Sequence, residues 1–262
     1  MPIRGRELIQ QIDDSRCDVP AIWWLGHSGF VLKHRNAVFY VDPYLSRTGD
    51  DPPIRAEDVT HASLILCTHA HGHHLDPDTV AGILGASPRA KVVIPKSVAE
   101  HTHSFGISYQ RMVTTDSSLR IEYLDDRIYS VPSAHNQLDW TPLGGYPYLG
   151  YLVRFGDCTI YHAGDCVPYP GLADRLRPYK ITVALLPISG RRPDDAPGNF
   201  EIAEAAQLAE DTGAQWLVPM HYGLFGPGAG EVTRFIDHLL GQRPSQRFKV
   251  FECGEKWDVP AD

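Results

Sequence analysis

The residues of this chain best suited to do chemistry are histidines crowded into one short stretch. The segment "THAHGHHLDPD", residues 68–78, contains His69, His71, His73 and His74, which are four of the thirteen histidines in the sequence. A buried core does not accept four imidazoles without partners, and imidazole nitrogen is a common ligand of zinc-like ions. Because the stretch follows the apolar run "ASLILC", we expect a loop at the end of a strand that holds metal.

Other candidate ligands also come just after apolar runs. They are Asp42 in "DPYLS", His135 in "PSAH", Asp165 in "HAGD" and His221 in "PMHYG". Since the loops at strand ends of an α/β protein gather on one edge, these side chains are expected to converge. Asp165 has two oxygens with which to bridge two metals. Asp42 either shapes a turn before Pro43 or holds a ligand histidine in its correct tautomer, and we prefer the second role to direct ligation.

The elements that position these residues form two similar series. Strands are predicted at residues 21–26, 29–33, 37–42, 62–68, 91–95, 111–115, 119–124, 127–134, 148–155, 158–165, 183–188, 216–221 and 248–253. Helices are predicted at residues 76–84, 199–213 and 229–241, with Asp76 and Asn199 as N-caps and Gly213 as a stop. Two sheets with helices on one face of each predict an α/β fold, a four-layer αββα sandwich, as one domain over residues 1–262 with its core at about 21–252.

Several motifs in this order resemble those of a known superfamily. "HAHGHH", "PSAH", "HAGD" and "MHYG" look like the metallo-β-lactamase superfamily. More narrowly, "WWLGHSGFVLK", "VDPYLS", "LLPISGR" and "NFEIAEAAQLAEDTGAQWLVPMHYGLF" resemble the branch that contains L-ascorbate-6-phosphate lactonase. The similarity extends from about Ile22 to Phe251 and implies a metal-dependent hydrolase with one or two divalent ions, zinc or manganese first among them.

The resemblance also implies roles for the candidate ligands. His69, His71 and His135 would hold the first ion, and His74 and His221, with or without His73, the second. Asp165 would bridge the two ions, and His73 and Asp165 are the candidate catalytic residues. Metal-bound hydroxide would open a lactone, or a similar cyclic ester or amide, of a small polar metabolite.

One position departs from the superfamily pattern H-x-H-x-D-H. This chain has His73 where the pattern has an aspartate that usually binds the second metal and is credited with protonating the leaving group. Imidazole still coordinates metal but removes one negative charge. Three outcomes stay open: a modified two-metal site, a one-metal enzyme, or a catalytically impaired protein that binds metal or metabolite, through a natural or an introduced change.

The substrate is less well defined than the site. Arg191 and Arg192 are candidates to hold an anionic group, with a solvated loop as the other reading, and Tyr44 and Tyr222 are candidates to line the pocket. A second function, hydrolysis of a phosphodiester or phosphate ester, uses the same two ions as a clamp. His27 and His162 are ambiguous between site and structure, and His101 and His103 are expected at the end of a surface helix.

Composition and charge limit the kinds of partner that the sequence predicts. The formal net charge of −8 gives no general electrostatic footprint for nucleic acid or an anionic membrane. No stretch approaches the roughly 20 apolar residues of a membrane span, and the charged N-terminus is unlike a signal peptide. The five cysteines form no CxxC pair. We expect a cytoplasmic protein with a small-molecule substrate, and self-association is left open.

Overall fold

The strands of this protein form two seven-stranded sheets, each within one unit of the chain. The computed structural model describes residues 3–46, 52–191, 198–223 and 229–261. The first unit comprises residues 1–115 and 251–262, and the second comprises residues 116–250. The prediction of two similar series, each with a mixed sheet and helices, is confirmed. The assignment of the whole chain to one domain stays a prediction.

The sheet of the first unit joins an antiparallel part to a parallel part. Its strands are β1 (Ala21–Gly26), β2 (Gly29–His34), β3 (Ala37–Val41), β4 (Leu64–Leu66), β5 (Lys91–Pro95), β6 (Met112–Thr115) and β14 (Lys256–Asp258). The spatial order is β14-β1-β2-β3-β4-β5-β6, antiparallel from β14 to β3 and parallel from β3 to β6. Strands β1 to β4 are buried along their whole length. They therefore have continuous apolar runs instead of alternation.

Three helices belong to this unit: α1 (Gly5–Asp14), α2 (Pro77–Ala86) and α3 (Ala99–Ser104). Helix α2 begins as predicted, because Asp76 Oδ2 accepts from Thr79 N at 3.1 Å and Pro77 occupies the first turn. Helix α1 was not predicted. It is held by Leu8 and Ile12, both fully buried, and by Lys33 of β2. The Lys33 Nζ atom donates to the carbonyls of Ile12 and Asp13 at 2.6 and 2.8 Å, and so satisfies the C-terminal carbonyls of α1.

The second unit repeats the plan of the first. Its strands are β7 (Arg120–Tyr123), β8 (Asp126–Pro132), β9 (Leu149–Phe155), β10 (Cys158–His162), β11 (Val183–Pro187), β12 (Trp216–Met220) and β13 (Arg247–Phe248). The order is β13-β12-β11-β10-β9-β8-β7, antiparallel from β7 to β10 and parallel from β10 to β13. Its helices are α4 (Leu172–Leu176), α5 (Ile202–Thr212) and α6 (Ala229–Gln242). Helix α5 packs against β11 and β12.

Two local predictions were wrong. Asn199 is not the N-cap of α5, because Glu201 takes that position and forms a capping box with Glu204. Gly213 does end the helix, in the left-handed conformation with φ of 68°. The predicted strand at 248–253 is reduced to β13, whereas the three-residue β14 pairs with β1 and was not predicted. A strand that short carries no periodic signal of its own.

Two further observations concern the helices. His101 and His103 lie on the exposed surface of α3, as predicted. Among the residues that the structure describes, no helix is long and apolar enough to cross a membrane.

The buried His61 predicts a pH dependence of stability. Its Nε2 lies 2.9 Å from the Tyr40 hydroxyl, and burial lowers the pKa of His61 to about 4. Because the unfolded chain binds this proton near pH 6.5, the unfolded state is favoured as pH falls from 6.5 towards 4. We expect the native protein to lose about 2–3 kcal/mol more than His61→Gln over this range, measured by urea unfolding with a chelator present.

The exposed His101 provides the control for this experiment. The variant His101→Gln should follow the pH curve of the native protein. If His61→Gln follows it as well, His61 is protonated in the folded state and the prediction is wrong.

Candidate metal centre

The four clustered histidines form a tight loop in the first unit. We call residues 69–74, which come shortly after β4 and before α2, the histidine loop. The backbone N–H groups of His74 and Leu75 both donate to the carbonyl of His71 at 2.8 Å, so the chain turns back on itself. As a result the ring of His74 lies 4.1 Å from the ring of His69 and 4.5 Å from that of His73, centroid to centroid.

A buried carboxylate orients two of these rings. His74 Nδ1 lies 2.6 Å from Asp42 Oδ2, and Asp42 is fully buried at the end of β3. Thr68 donates its backbone N–H to Asp42 Oδ1 at 2.8 Å and its hydroxyl to Asp42 Oδ2 at 2.7 Å, while His69 Nδ1 lies 3.0 Å from that hydroxyl. Since the carboxylate only accepts, His74 donates to it from Nδ1. The Thr68 hydroxyl donates its own proton to Asp42, so it accepts from His69 Nδ1. The lone pair of each ring is therefore on Nε2, where a metal ligand needs it.

The spacing of the ring nitrogens suits a shared ion. His69 Nε2 and His71 Nδ1 are 3.1 Å apart. Two nitrogens that bind one zinc-like ion at about 2.0–2.1 Å lie roughly 3.0–3.4 Å from each other. His73 and His74 also offer one ring nitrogen each within 4.8 Å of the other. The donor set is thus imidazole in two pairs, as expected of borderline divalent ions.

The second unit carries a matching arrangement around one carboxylate. We call His135, Asp165 and His221 the carboxylate group; they follow β8, β10 and β12. His135 Nε2 lies 3.3 Å from Asp165 Oδ2, and His221 Nε2 lies 3.1 Å from Asp165 Oδ1. Each oxygen of one buried carboxylate therefore faces a different imidazole nitrogen at a spacing that fits two ligands of one ion.

Residues that the sequence did not single out hold these two histidines. His135 Nδ1 donates to the carbonyl of Gly198 at 3.2 Å, which places its lone pair on Nε2. His221 Nδ1 lies 3.0 Å from Ser189 Oγ, and that oxygen also accepts from Asn199 Nδ2 at 3.1 Å. Asn199, in turn, accepts from the backbone N–H of Cys166 at 3.0 Å. The residue predicted as a helix cap is thus a positioning residue for His221.

Three residues at or beside these ligands have left-handed backbone conformations. Asp42, His221 and His27 have φ angles of 43°, 59° and 53°, in the left-handed region that residues with a Cβ rarely occupy. Such strain persists where surrounding contacts hold the residue, and it is common at functional sites. Here it places each side chain directly after, or between, two strands.

Two buried cysteines adjoin site residues in the sequence, because Cys67 precedes Thr68 and Cys166 follows Asp165. Burial raises the pKa of Cys166 to about 12 and that of Cys67 well above its ordinary value. A buried thiol with a raised pKa acts as a small apolar group near neutral pH.

The remaining candidates occupy varied surroundings. Arg191 pairs through its guanidinium with Glu204 of α5, and its backbone N–H donates to Glu201 at 2.9 Å. Arg192 lies outside the described residues. Tyr44 is half-buried after β3, and Tyr222 is buried beside His221. The assignment of these four residues to substrate binding stays a prediction.

The two ambiguous histidines are both buried. The ring of His27 lies 5.0 Å from that of His73, edge to face, which places His27 against the histidine loop. His162 accepts from the backbone N–H of Gly164 at 3.1 Å and so supports the turn that leads to Asp165.

Comparison with known proteins gives a consistent result. The sequence profile of the β-lactamase superfamily domain matches residues 37–222. The chain is 33% identical over 224 residues to a UPF0173 metal-dependent hydrolase of Pyrococcus horikoshii, covering 84% of this chain and 92% of that protein. It is 31% identical over 245 residues to a UPF0173 metal-dependent hydrolase of Methanopyrus kandleri, covering 90% and 99%.

Solved structures agree on the fold. Igni18, a metallo hydrolase from Ignicoccus hospitalis, matches with a TM-score of 0.71 at 23% identity and covers 91% of this chain and 97% of its own. The metallo-β-lactamase fold protein YhfI from Bacillus subtilis matches with a TM-score of 0.64 at 12% identity, covering 92% and 99%. The predicted fold class is confirmed.

The Asp42 contacts predict a loss of metal affinity on Asp42→Asn. Asparagine tolerates the positive φ, but its amide provides a single accepting oxygen, so His74 or Thr68 loses its acceptor. We expect metal affinity to fall about 10- to 100-fold, measured by competition with a chromogenic chelator. Asp58→Asn, at a surface pair with Arg55, is the control and should bind as the native protein does. Equal affinity in both variants would show that Asp42 has no role in metal binding.

Proposed function

The chain belongs to the metallo-β-lactamase superfamily, among the UPF0173 metal-dependent hydrolases, and from this premise we propose that it hydrolyses a lactone, or a similar cyclic ester or amide, of a small metabolite. The broader statement, a metal-dependent hydrolase, follows from the family. The lactone is our proposal and is supported by the resemblance of "VDPYLS", "LLPISGR" and "NFEIAEAAQLAEDTG" to the lactonase branch.

One observation carries the proposal of a two-ion centre. The Asp165 carboxylate presents one oxygen to His135 and the other to His221, at 3.3 and 3.1 Å. A carboxylate that bridges two ions needs one further ligand beside each oxygen. A carboxylate that only accepted a hydrogen bond would need one histidine beside it, not two.

We assign the ligands accordingly. His69, His71 and His135 would hold one ion, His73, His74 and His221 would hold the other, and Asp165 would bridge them. The family profile spans all seven positions, from the first half of the chain to the second. Zinc and manganese are the proposed metals, because the set combines neutral imidazoles with a carboxylate.

The chemistry is divided between the ions and the protein. Divalent ions, when bound, supply Lewis acidity that activates water and polarises the substrate carbonyl. The residues of this chain supply orientation: Asp42 fixes His74, Gly198 fixes His135, and Ser189, which accepts from Asn199, fixes His221. His73 cannot use one nitrogen both as a metal ligand and as the proton donor to the leaving alkoxide.

Two alternatives remain as competing hypotheses. A phosphodiesterase would use the same two ions as a clamp on attacking and leaving oxygens. The pairing of Arg191 with Glu204 removes one argument for it, because this guanidinium already has a carboxylate partner. A catalytically impaired binding protein is the other alternative, and position 73 is its basis.

The proposed bridging role of Asp165 predicts the loss of metal-dependent turnover. Chelation should abolish lactone hydrolysis, and Asp165→Asn should lower kcat/KM by at least about 100-fold, since the amide cannot bridge two ions as a carboxylate does. Asp157→Asn, in an exposed turn, is the control and should keep full activity. The assay compares γ-lactones with nitrophenyl phosphodiesters. Turnover of the phosphodiesters alone, or lactone hydrolysis by metal-free protein, would refute the lactonase proposal.

The proposed ligand role of His73 predicts a change in metal content. Elemental analysis of untagged protein should give two ions per chain for the native protein, one for His73→Ala and two for His73→Asp, because aspartate restores a ligand with negative charge. One ion or none in the native protein would mean that histidine in place of the aspartate leaves the second metal position empty. A large gain of activity in His73→Asp over an inactive native protein would favour the impaired alternative.

A further inference from the structure

One loop of the second unit combines exposed apolar side chains with a direct connection to the carboxylate group. Residues 136–148 link β8 to β9 and begin immediately after His135; we call them the bridging loop. Near its middle, Trp140 is 55% exposed and Leu143 is 87% exposed. These two apolar side chains, three residues apart on one loop, offer area that a bound apolar group would remove from water.

Hydrogen bonds fix the conformation of the bridging loop around Leu143. Thr141 and Gly145 exchange backbone hydrogen bonds at 3.1 and 2.9 Å, which forms a closed turn around Leu143. Gly145 has φ of +69° and lies so close to Asp116 that a Cβ atom would overlap the carboxylate. Asp116 also accepts from the backbone N–H of Tyr146 at 3.2 Å. Trp140 and Leu143 are therefore presented by a preorganised turn, which reduces the entropic cost of binding.

The loop returns to the carboxylate group where it ends. The ring of Tyr148 lies 5.2 Å from the ring of His135, edge to face. Both ends of the bridging loop thus lie at His135, one through the chain and the other through the ring of Tyr148.

The described arginine that was predicted to bind an anion already has carboxylate partners. Arg191, the described residue proposed to bind an anion, has its guanidinium paired with Glu204 and its N–H bound to Glu201. Trp140 and Leu143, by contrast, offer apolar area that no described contact covers fully. Burial of that area is worth about 25 cal/mol per Å² removed from water.

We propose that the bridging loop binds an apolar substituent of the substrate, so that the preferred lactones carry an alkyl or aryl group on the ring. This inference rests on the proposed function, and it assigns Trp140 and Leu143 as specificity-determining residues. They contact the substituent and do not contact the ester that reacts, which lies at the histidine loop and the carboxylate group.

The test compares two lactones with the same ring. γ-Butyrolactone has no substituent, and γ-decalactone adds a six-carbon chain. We expect Trp140→Ala and Leu143→Ser each to raise KM for γ-decalactone at least about tenfold, with kcat and the values for γ-butyrolactone changed less than about twofold. Leu240→Ser, at a 62% exposed leucine of α6, is the matched control and should behave as the native protein does.

A binding measurement separates this inference from the lactonase proposal. Calorimetric titration with 4-hydroxydecanoate, the ring-opened form of γ-decalactone, needs no turnover. The native protein should bind it at least about tenfold more tightly than the Trp140→Ala/Leu143→Ser double variant. If no lactone is hydrolysed but this difference is found, the proposed function fails and the apolar binding surface stands.

Three outcomes would overturn the inference. Equal losses for both lactones would indicate a structural role of the loop, and equal binding of 4-hydroxydecanoate by native protein and double variant would show that the loop takes no apolar group. A native dimer that becomes monomeric in the double variant, by sedimentation velocity, would assign the surface to a second copy of the chain.

Discussion

The hydrogen bond between the buried carboxylate of Asp42 and His74 is the interaction on which the histidine loop depends. A fully buried charge is costly unless it is hydrogen-bonded, and Asp42 accepts from Thr68 twice and from His74 once. These bonds join the end of β3 to the residues that follow β4. The same contacts that stabilise the charge therefore orient the rings, and stability and ligand geometry cannot be changed separately at this position.

The second unit orients its histidines with different groups. A histidine ligand is useful only if one ring nitrogen is held by the protein and the other faces the metal. In place of a carboxylate, His135 is held by the carbonyl of Gly198, and His221 is held by Ser189, to which Asn199 donates. The left-handed conformations of Asp42 and His221 are part of this arrangement, because each turns the chain sharply where a strand ends.

The sequence predicted the parts of this design that depend on local patterns. Apolar runs followed by histidine or aspartate located the strand ends, because a buried strand is a continuous apolar segment. The roles of Thr68, Ser189 and Asn199 in orienting the histidines were not predicted. Threonine, serine and asparagine are common, and no local pattern marks which of them contacts a histidine. Asn199 was misread because asparagine before a helix is a typical cap, whereas the helix begins two residues later with Glu201 and Glu204. Helix α1 and strand β14 depend on partners distant in sequence, Lys33 and β1.

The histidine at position 73 lowers the negative charge that the proposed centre presents to a bound substrate. Six of the seven proposed ligands are imidazoles, which bind metal in the neutral form, and Asp165 is the one carboxylate among them. The centre therefore has less negative charge than the superfamily pattern provides. A ligand that becomes negative during the reaction compensates for the difference, and ring opening of an ester generates a carboxylate. Selectivity for the rest of the substrate then need not come from charge, which agrees with an apolar turn at Trp140 and Leu143 and with an arginine already paired to Glu204.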